Sequence, residues 1–202
     1  MEDKNYELKK RRKIIKDIAF IPLFTSIIII CSWITVPFTV PFTLQTFAIF
    51  LSLLILGGKR GIIAIVLYVL LGLIGLPVFS GFKGGLASLI GPTGGFLIGF
   101  VFMGVVYFIF ELTILNKRKN NNKLNDLYKY NLLYNVITLL VGLFVCYTLG
   151  TLWFSYVSDA FTISGFISKL MVAVLPFIIP DLLKLGIAMF IYVKIKKINT
   201  KR

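Results

Sequence analysis

The chain contains no histidine and only eight acidic residues in 202 positions, against 22 lysines and arginines. Without histidine, the commonest general base and the commonest metal ligand are both missing. There is no H-E-x-x-H metal motif, no G-x-x-x-x-G-K-[ST] phosphate loop and no nucleophile elbow. These absences remove the phosphate-loop kind of nucleotide site and argue against an enzyme. Cysteine is scarce too. Cys31 and Cys146 both lie inside apolar runs, where a buried thiol behaves as a small hydrophobe, so neither is expected in a disulfide or a metal site.

What the chain has in excess is apolar side chain. Hydrophobic residues make up 58% of it and the mean hydropathy is +0.92, where a soluble domain holds roughly 45–50% apolar residues. Several runs reach the roughly 18–25 residues needed to cross a hydrocarbon core about 30 Å thick. Continuous runs, rather than alternating short strands, predict an all-α polytopic integral membrane protein. Six spans are expected, at 18–36, 43–57, 61–79, 94–115, 131–152 and a last one ending near Val193. They form one membrane domain over 1–202, a six-helix bundle over 18–193 with basic tails at 1–17 and 194–202. The run after the basic amino terminus lacks a small-residue cleavage site, so the first span is read as retained.

The net charge of +14 matters less than its distribution. Of the 22 basic residues, 19 fall in the first 16 residues, in "GGKRG" (57–61), in "NKRKNNNKLNDLYK" (116–129) and in the tail from Lys194. With six spans these segments share one side, so both termini are expected to be cytoplasmic. The opposite connections, "TVPFTVPF", 80–93 and 153–164, carry one Lys and one Asp between them. The basic residues left over are Lys83, Lys169 and Lys184.

The side chains able to recognise a ligand gather in the outer half. Gln45 opens the second span, and Trp153 and Tyr156 follow the fifth. Between spans three and four, "GLPVFSGFKGGLASLIGPTGGF" (75–96) has seven glycines and two prolines, too irregular for a tight turn. In the final segment, prolines at 176 and 180 interrupt 165–193; a proline in the first turn costs no hydrogen bond, so the last helix is expected to start near Pro180. Asp181 and Lys184 then sit in its first turns, below the outer surface.

Each feature has two readings. A charge in the bilayer costs about 2.5–3.5 kcal/mol on insertion scales, so Asp181 and Lys184 either pair as a helix-terminal staple or face a pocket. Gly91, Gly95 and Gly99 form a small-xxx-small packing face, with packing preferred for Gly95 and Gly99. Gly84, Gly85 and Gly94 fit a backbone that approaches a ligand closely. Gln45 either caps its helix or contacts a ligand. Trp153 and Tyr156 are either interface anchors or a ligand wall. Glu111 is expected to snorkel to the interface, and Asn135 to bond a neighbouring helix.

Five blocks, "VPFTLQTFAIFL" (40–51), "KRGIIAIVLYVLLGLIGLPVFSGFKGG" (59–85), "LIGPTGGFLIGF" (89–100), "GTLWFSYV" (150–157) and "LPFIIPDLLK" (175–184), resemble the BioY family in sequence and order. The resemblance covers about residues 20–190. It implies a biotin-binding S component of an energy-coupling factor transporter, a multi-pass protein of the bacterial plasma membrane. Such a component has no cofactor of its own; a transmembrane coupling subunit and two cytoplasmic ATP-binding subunits supply the energy, and ATP acts only there. The intact "PDLLK" implies binding roles for Asp181 and Lys184. Biotin's ureido N–H groups suit Asp181, and its carbonyl or carboxylate suits Lys184. Phe82, Trp153 and Tyr156 are the expected apolar wall, with Gln45 a further ureido contact. The family's small-residue docking face in the first helix reads "PLFTS" here, with Pro22 and Ser26 at its two positions. Competing readings are a solitary transporter of biotin or another carboxylated vitamin, and a membrane enzyme or structural protein built around the Asp–Lys pair.

Overall fold

The computed structural model describes residues 2–37, 40–119, 127–158 and 162–200. The middle of the basic 116–129 connection and part of the 153–164 connection lie outside them. The described residues are mostly helical: α1 (Glu2–Trp33), α2 (Gln45–Leu56), α3 (Gly58–Leu73), α4 (Leu86–Ile90), α5 (Gly94–Lys119), α6 (Leu127–Val157), α7 (Ile163–Ala173) and α8 (Leu175–Thr200). One short antiparallel hairpin, β1 (Thr35–Val36) with β2 (Phe42–Thr43), pairs Thr35 with Thr43 and Val36 with Phe42. The mostly helical architecture agrees with the all-α expectation at the level of class, and the hairpin corrects the end of the first span. The helix stops at Trp33, because the β-branched pair Thr35-Val36 forms a strand instead of continuing it.

The basic stretch expected as a tail is continuous with α1, and Pro22 lies inside that helix. The final helix also differs from expectation. It starts at Leu175, so Pro176 rather than Pro180 occupies the first turn, and Pro180 lies inside α8. Val174 ends α7, and its carbonyl accepts from Phe177 N–H at 2.9 Å, carrying the chain directly into the new helix. Asp181 is therefore two turns into α8.

Three helices contain stretches long and apolar enough to cross a membrane: Gly94–Thr113, Leu132–Val157 and Leu175–Ile198. Shorter apolar helices are Asp17–Trp33, Gln45–Leu56 and Ile163–Ala173. Large apolar side chains also cover the outside, among them Leu70, Phe102, Phe144, Leu183 and Phe190. So many exposed large apolar side chains suit a surface that faces lipid.

The core forms around α2, which packs against α1, α3 and α8 and buries Ala48, Ile49, Phe50 and Leu53 completely. Beside it, α5 and α6 lie in close contact because glycine removes the side chain where the backbones meet. A Cβ at Gly95 would overlap Trp153, and one at Gly99 would fall 2.8 Å from Cys146 Sγ. Their reading as packing glycines holds. Tyr107 on α5 donates to Asn135 on α6 at 3.1 Å, as the sequence suggested for Asn135.

Glu111 does not snorkel outward. Its carboxylate accepts the Gly58 N–H at 2.7 Å, satisfying an unpaired donor at the start of α3 and placing negative charge at a helix amino terminus. Arg60 of the same turn forms an ion pair with Asp17 of α1. The α2–α3 turn, the far part of α5 and the middle of α1 thus meet at one end of the bundle, and the start of α2 faces the other.

Candidate functional site

With 12 residues, α2 rises about 18 Å, while α5, α6 and α8 continue for 26, 31 and 26 residues. The centre of the bundle beyond the amino end of α2 is left open. A cavity of about 620 Å³ lies there, between the β2–α2 junction, the glycine-rich strap at 79–93, α5, α6, α7 and α8.

Its floor begins at the first turn of α2. Leu44 in the cap position has no side-chain acceptor, so the Thr43 hydroxyl takes the Gln45 N–H at 3.3 Å. The Thr43 carbonyl faces α8, where Lys184 Nζ donates to it at 2.6 Å. The same ammonium donates to Thr46 Oγ1 at 3.0 Å and to Asp181 Oδ1 at 2.7 Å, and lies 4.1 Å above the Phe42 ring. All three ammonium protons are used within the protein.

Asp181 is held just as fully. Oδ1 accepts from Thr46 Oγ1 at 2.8 Å as well as from Lys184, and Oδ2 accepts from Tyr147 of α6 at 2.6 Å. Asp181 and Lys184 are 3% and 6% exposed, so this network is what keeps two charges in an apolar bundle. A carboxylate offers about four lone-pair directions, and three are filled here, so about one remains for an incoming donor. Gln45, the residue before Thr46, lines the same cavity. Its Nε2 donates to Tyr68 at 3.0 Å, and its Oε1 has no hydrogen bond among the described residues.

Above this polar floor the walls are mostly aromatic: Phe79 from the strap, Phe96 and Phe100 from α5, Tyr147 from α6 and Phe177 from α8. The strap is tied to the top of α1. Ser32 donates to Val78 O at 2.5 Å, Trp33 Nε1 to Pro77 O at 2.9 Å, and Ser80 to Thr35 at 3.0 Å. Phe79 N–H donates to Lys83 O at 2.9 Å, closing a tight turn in which Phe82 takes a left-handed backbone conformation, φ +58°.

Of the residues expected from sequence, Asp181, Lys184, Gln45 and Gly84 line the cavity. A Cβ at Gly84 would overlap the Leu76 carbonyl oxygen, so glycine lets the strap fold onto the end of α3. Phe82, Gly85, Gly94, Trp153 and Tyr156 are not on the wall. Phe82 is 64% exposed and stacks on Trp33 at 5.1 Å, because its left-handed backbone turns it away from the cavity. Trp153 packs against Gly95 and donates to Gly91 O at 3.0 Å, bracing a wall residue from behind, and Tyr156 leans on Trp153 at the exposed surface. Gly85 donates to Gly72 O at 2.7 Å, and a Cβ at Gly94 would overlap Leu89 O, so both serve the fold of the strap. Sequence reasoning missed Thr43, Thr46 and Tyr147. Of the three, Thr46 alone had a local signal, a second polar residue beside Gln45 at the start of a mostly apolar helix.

A model of the BioY family matches residues 3–201. The biotin transporter BioY of Thermotoga maritima is 38% identical over 181 residues, covering 89% of this chain and 95% of its own. The biotin transporter BioY2 of Lactococcus lactis is 34% identical over 168 residues, 83% of this chain and 82% of its own. A crystal structure of the S-component for biotin from an ECF-type ABC transporter superposes with a TM-score of 0.73 and 28% identity, covering 92% of this chain and 93% of that one. The five sequence blocks thus lie within a match that spans nearly every residue and extends to the fold: the chain belongs to the BioY family.

Proposed function

We propose that this chain captures biotin as the S component of an energy-coupling factor transporter, and that the cavity above α2 is the biotin site. The observation that carries the reading is the one acceptor direction left on Asp181, together with the unused Oε1 of Gln45, at the base of an aromatic cavity. Biotin's ureido ring carries two N–H donors on one edge, and two acceptors suit it. The fused rings and methylene tail suit Phe79, Phe96, Phe100 and Phe177, in a pocket that is mostly apolar with a few polar groups setting orientation. Lys184, with its protons spent on Thr43, Thr46 and Asp181, acts by holding the Asp181 carboxylate in place.

In this reading α1, α2, α3, α5, α6 and α8 form six spans of a multi-pass protein in the bacterial plasma membrane. Both termini are cytoplasmic and the cavity faces outward. Support comes from the 19 clustered basic residues and from the Arg60–Asp17 and Gly58–Glu111 contacts at the opposite end from the cavity. A transmembrane coupling subunit and two ATP-binding subunits drive the inward step. On α1, Pro22 and Ser26 are both exposed one turn apart, and Ser26 Oγ folds back onto Pro22 O at 3.0 Å, which keeps that face low enough for a neighbouring helix. Protein purified in detergent without added ligand should release biotin on denaturation, detected by mass spectrometry, and Asp181→Asn should release far less. Equal retention by both proteins would overturn the site.

A further inference from the structure

Three basic residues lie away from the charged clusters, and the structure gives each a different situation. Lys184 is buried with every proton taken. Lys169 lies 4.6 Å over the Phe154 ring and is not on the cavity wall. Lys83 is on the wall, at the exposed rim, and among the described residues its ammonium has no hydrogen bond, ion pair or ring contact. No acid with a described side chain competes for it: Asp17 pairs with Arg60, Glu111 holds Gly58, Asp181 is enclosed with Lys184, and Glu7 lies near the far end of α1 from the strap.

The backbone at Lys83 is also fixed. Its carbonyl accepts from Phe79, Ser80 is tied to Thr35, and Phe82, in a left-handed conformation, is stacked on Trp33. A lysine on an anchored turn at the mouth of a cavity whose floor holds a spent Asp–Lys pair is suited to an anion at the far end of an elongated ligand.

We infer that Lys83 is the carboxylate-recognising residue of this site, and that it, not Lys184, discriminates ligands by the charge at the end of the tail. The inference rests on the biotin reading and deepens it. A ligand bound with its ureido ring on Asp181 and Gln45 runs past the aromatic walls and ends at the rim, where Lys83 Nζ supplies a charge-assisted hydrogen bond. Selection among ring-bearing ligands is then made at the floor, and selection for a free acid at the strap.

The test compares biotin with biotinol, in which a neutral alcohol replaces the carboxylate, by titration of the purified full chain. Wild-type protein should bind biotin about tenfold more tightly than biotinol, the scale of one hydrogen bond to a charged group. Lys83→Gln should bind the two about equally while retaining wild-type affinity for biotinol, which also shows that the variant is folded. Lys83→Arg should keep the preference. Lys83→Glu should invert it toward an amine-ended analogue such as biotinyl-ethylenediamine. A wild-type chain that does not prefer the acid, or a Lys83→Gln chain that keeps the full preference, overturns the inference and leaves the biotin reading standing. A wild-type chain that binds neither ligand overturns the reading on which it rests.

Discussion

Tyr147 on α6 donates its phenolic proton to Oδ2 of Asp181 on α8 over 2.6 Å, joining two helices through a carboxylate that is 3% exposed. A hydrogen bond to a charged group contributes about 1.5–3 kcal/mol, and in an apolar surrounding the acceptor has no water to fall back on. Tyr147→Phe should therefore lower the unfolding free energy of ligand-free protein in detergent by about 1.5–3 kcal/mol. It should also weaken biotin binding, since the freed carboxylate can turn away from the cavity. An unchanged unfolding midpoint would contradict the assignment.

The Asp181–Lys184 pair allows stability to be separated from binding. Lys184→Met alone leaves a buried carboxylate without its counter-charge and should destabilise by roughly 3–5 kcal/mol. Adding Asp181→Leu removes the stranded charge, and buried pairs replaced by apolar residues of similar size commonly recover stability, here to within about 1–2 kcal/mol of the wild type. The double variant should fold and bind no biotin. If it is as unstable as Lys184→Met, the pair's role lies in the fold and not in the ligand.

Two glycines make opposite predictions. A side chain at Gly84 meets the Leu76 carbonyl, so Gly84→Ala should displace the strap, cost about 1–3 kcal/mol and weaken biotin binding. Gly186 on α8 has open space around the position of a Cβ. Gly186→Ala should raise stability by about 0.5–1 kcal/mol through helix propensity and leave binding as it is. Parallel thermal unfolding and titration of the two variants check both.

The α1 face tests assembly apart from capture. Ser26→Trp places a large side chain where Pro22 and Ser26 now leave a low surface. Co-purification with the coupling subunit should fall to background while the isolated chain binds biotin normally. Intact co-purification would move the docking face elsewhere on the bundle.

Much of this was legible from residue order alone. Long apolar runs reveal helices, because hydropathy is a property of windows, and "PDLLK" stands out because charge in an apolar run is costly. The hairpin at 35–43 was not legible. Ile34, Thr35 and Val36 are apolar or β-branched, and a hydropathy window cannot tell the last turn of a span from a strand. Pro176 and Pro180 are equivalent as sequence; their roles were decided by where α7 ends, at Val174. Tyr147 lies 34 residues from Asp181 inside a run that reads as lipid span, and no local pattern indicates that its hydroxyl meets α8. The aromatic wall was misplaced for a related reason. Trp153 and Tyr156 sit at the correct end of α6, but Gly95 and Gly91 hold Trp153 behind the cavity instead of in it.

The central claim is that this chain alone holds biotin through Asp181. Isothermal titration of the purified chain with biotin, after release of any bound ligand, tests it most directly, beside Asp181→Asn. Saturable one-to-one binding by the wild type and its loss in the variant is the predicted result; a wild type that binds no biotin, or an Asp181→Asn chain that binds it equally well, would contradict the account.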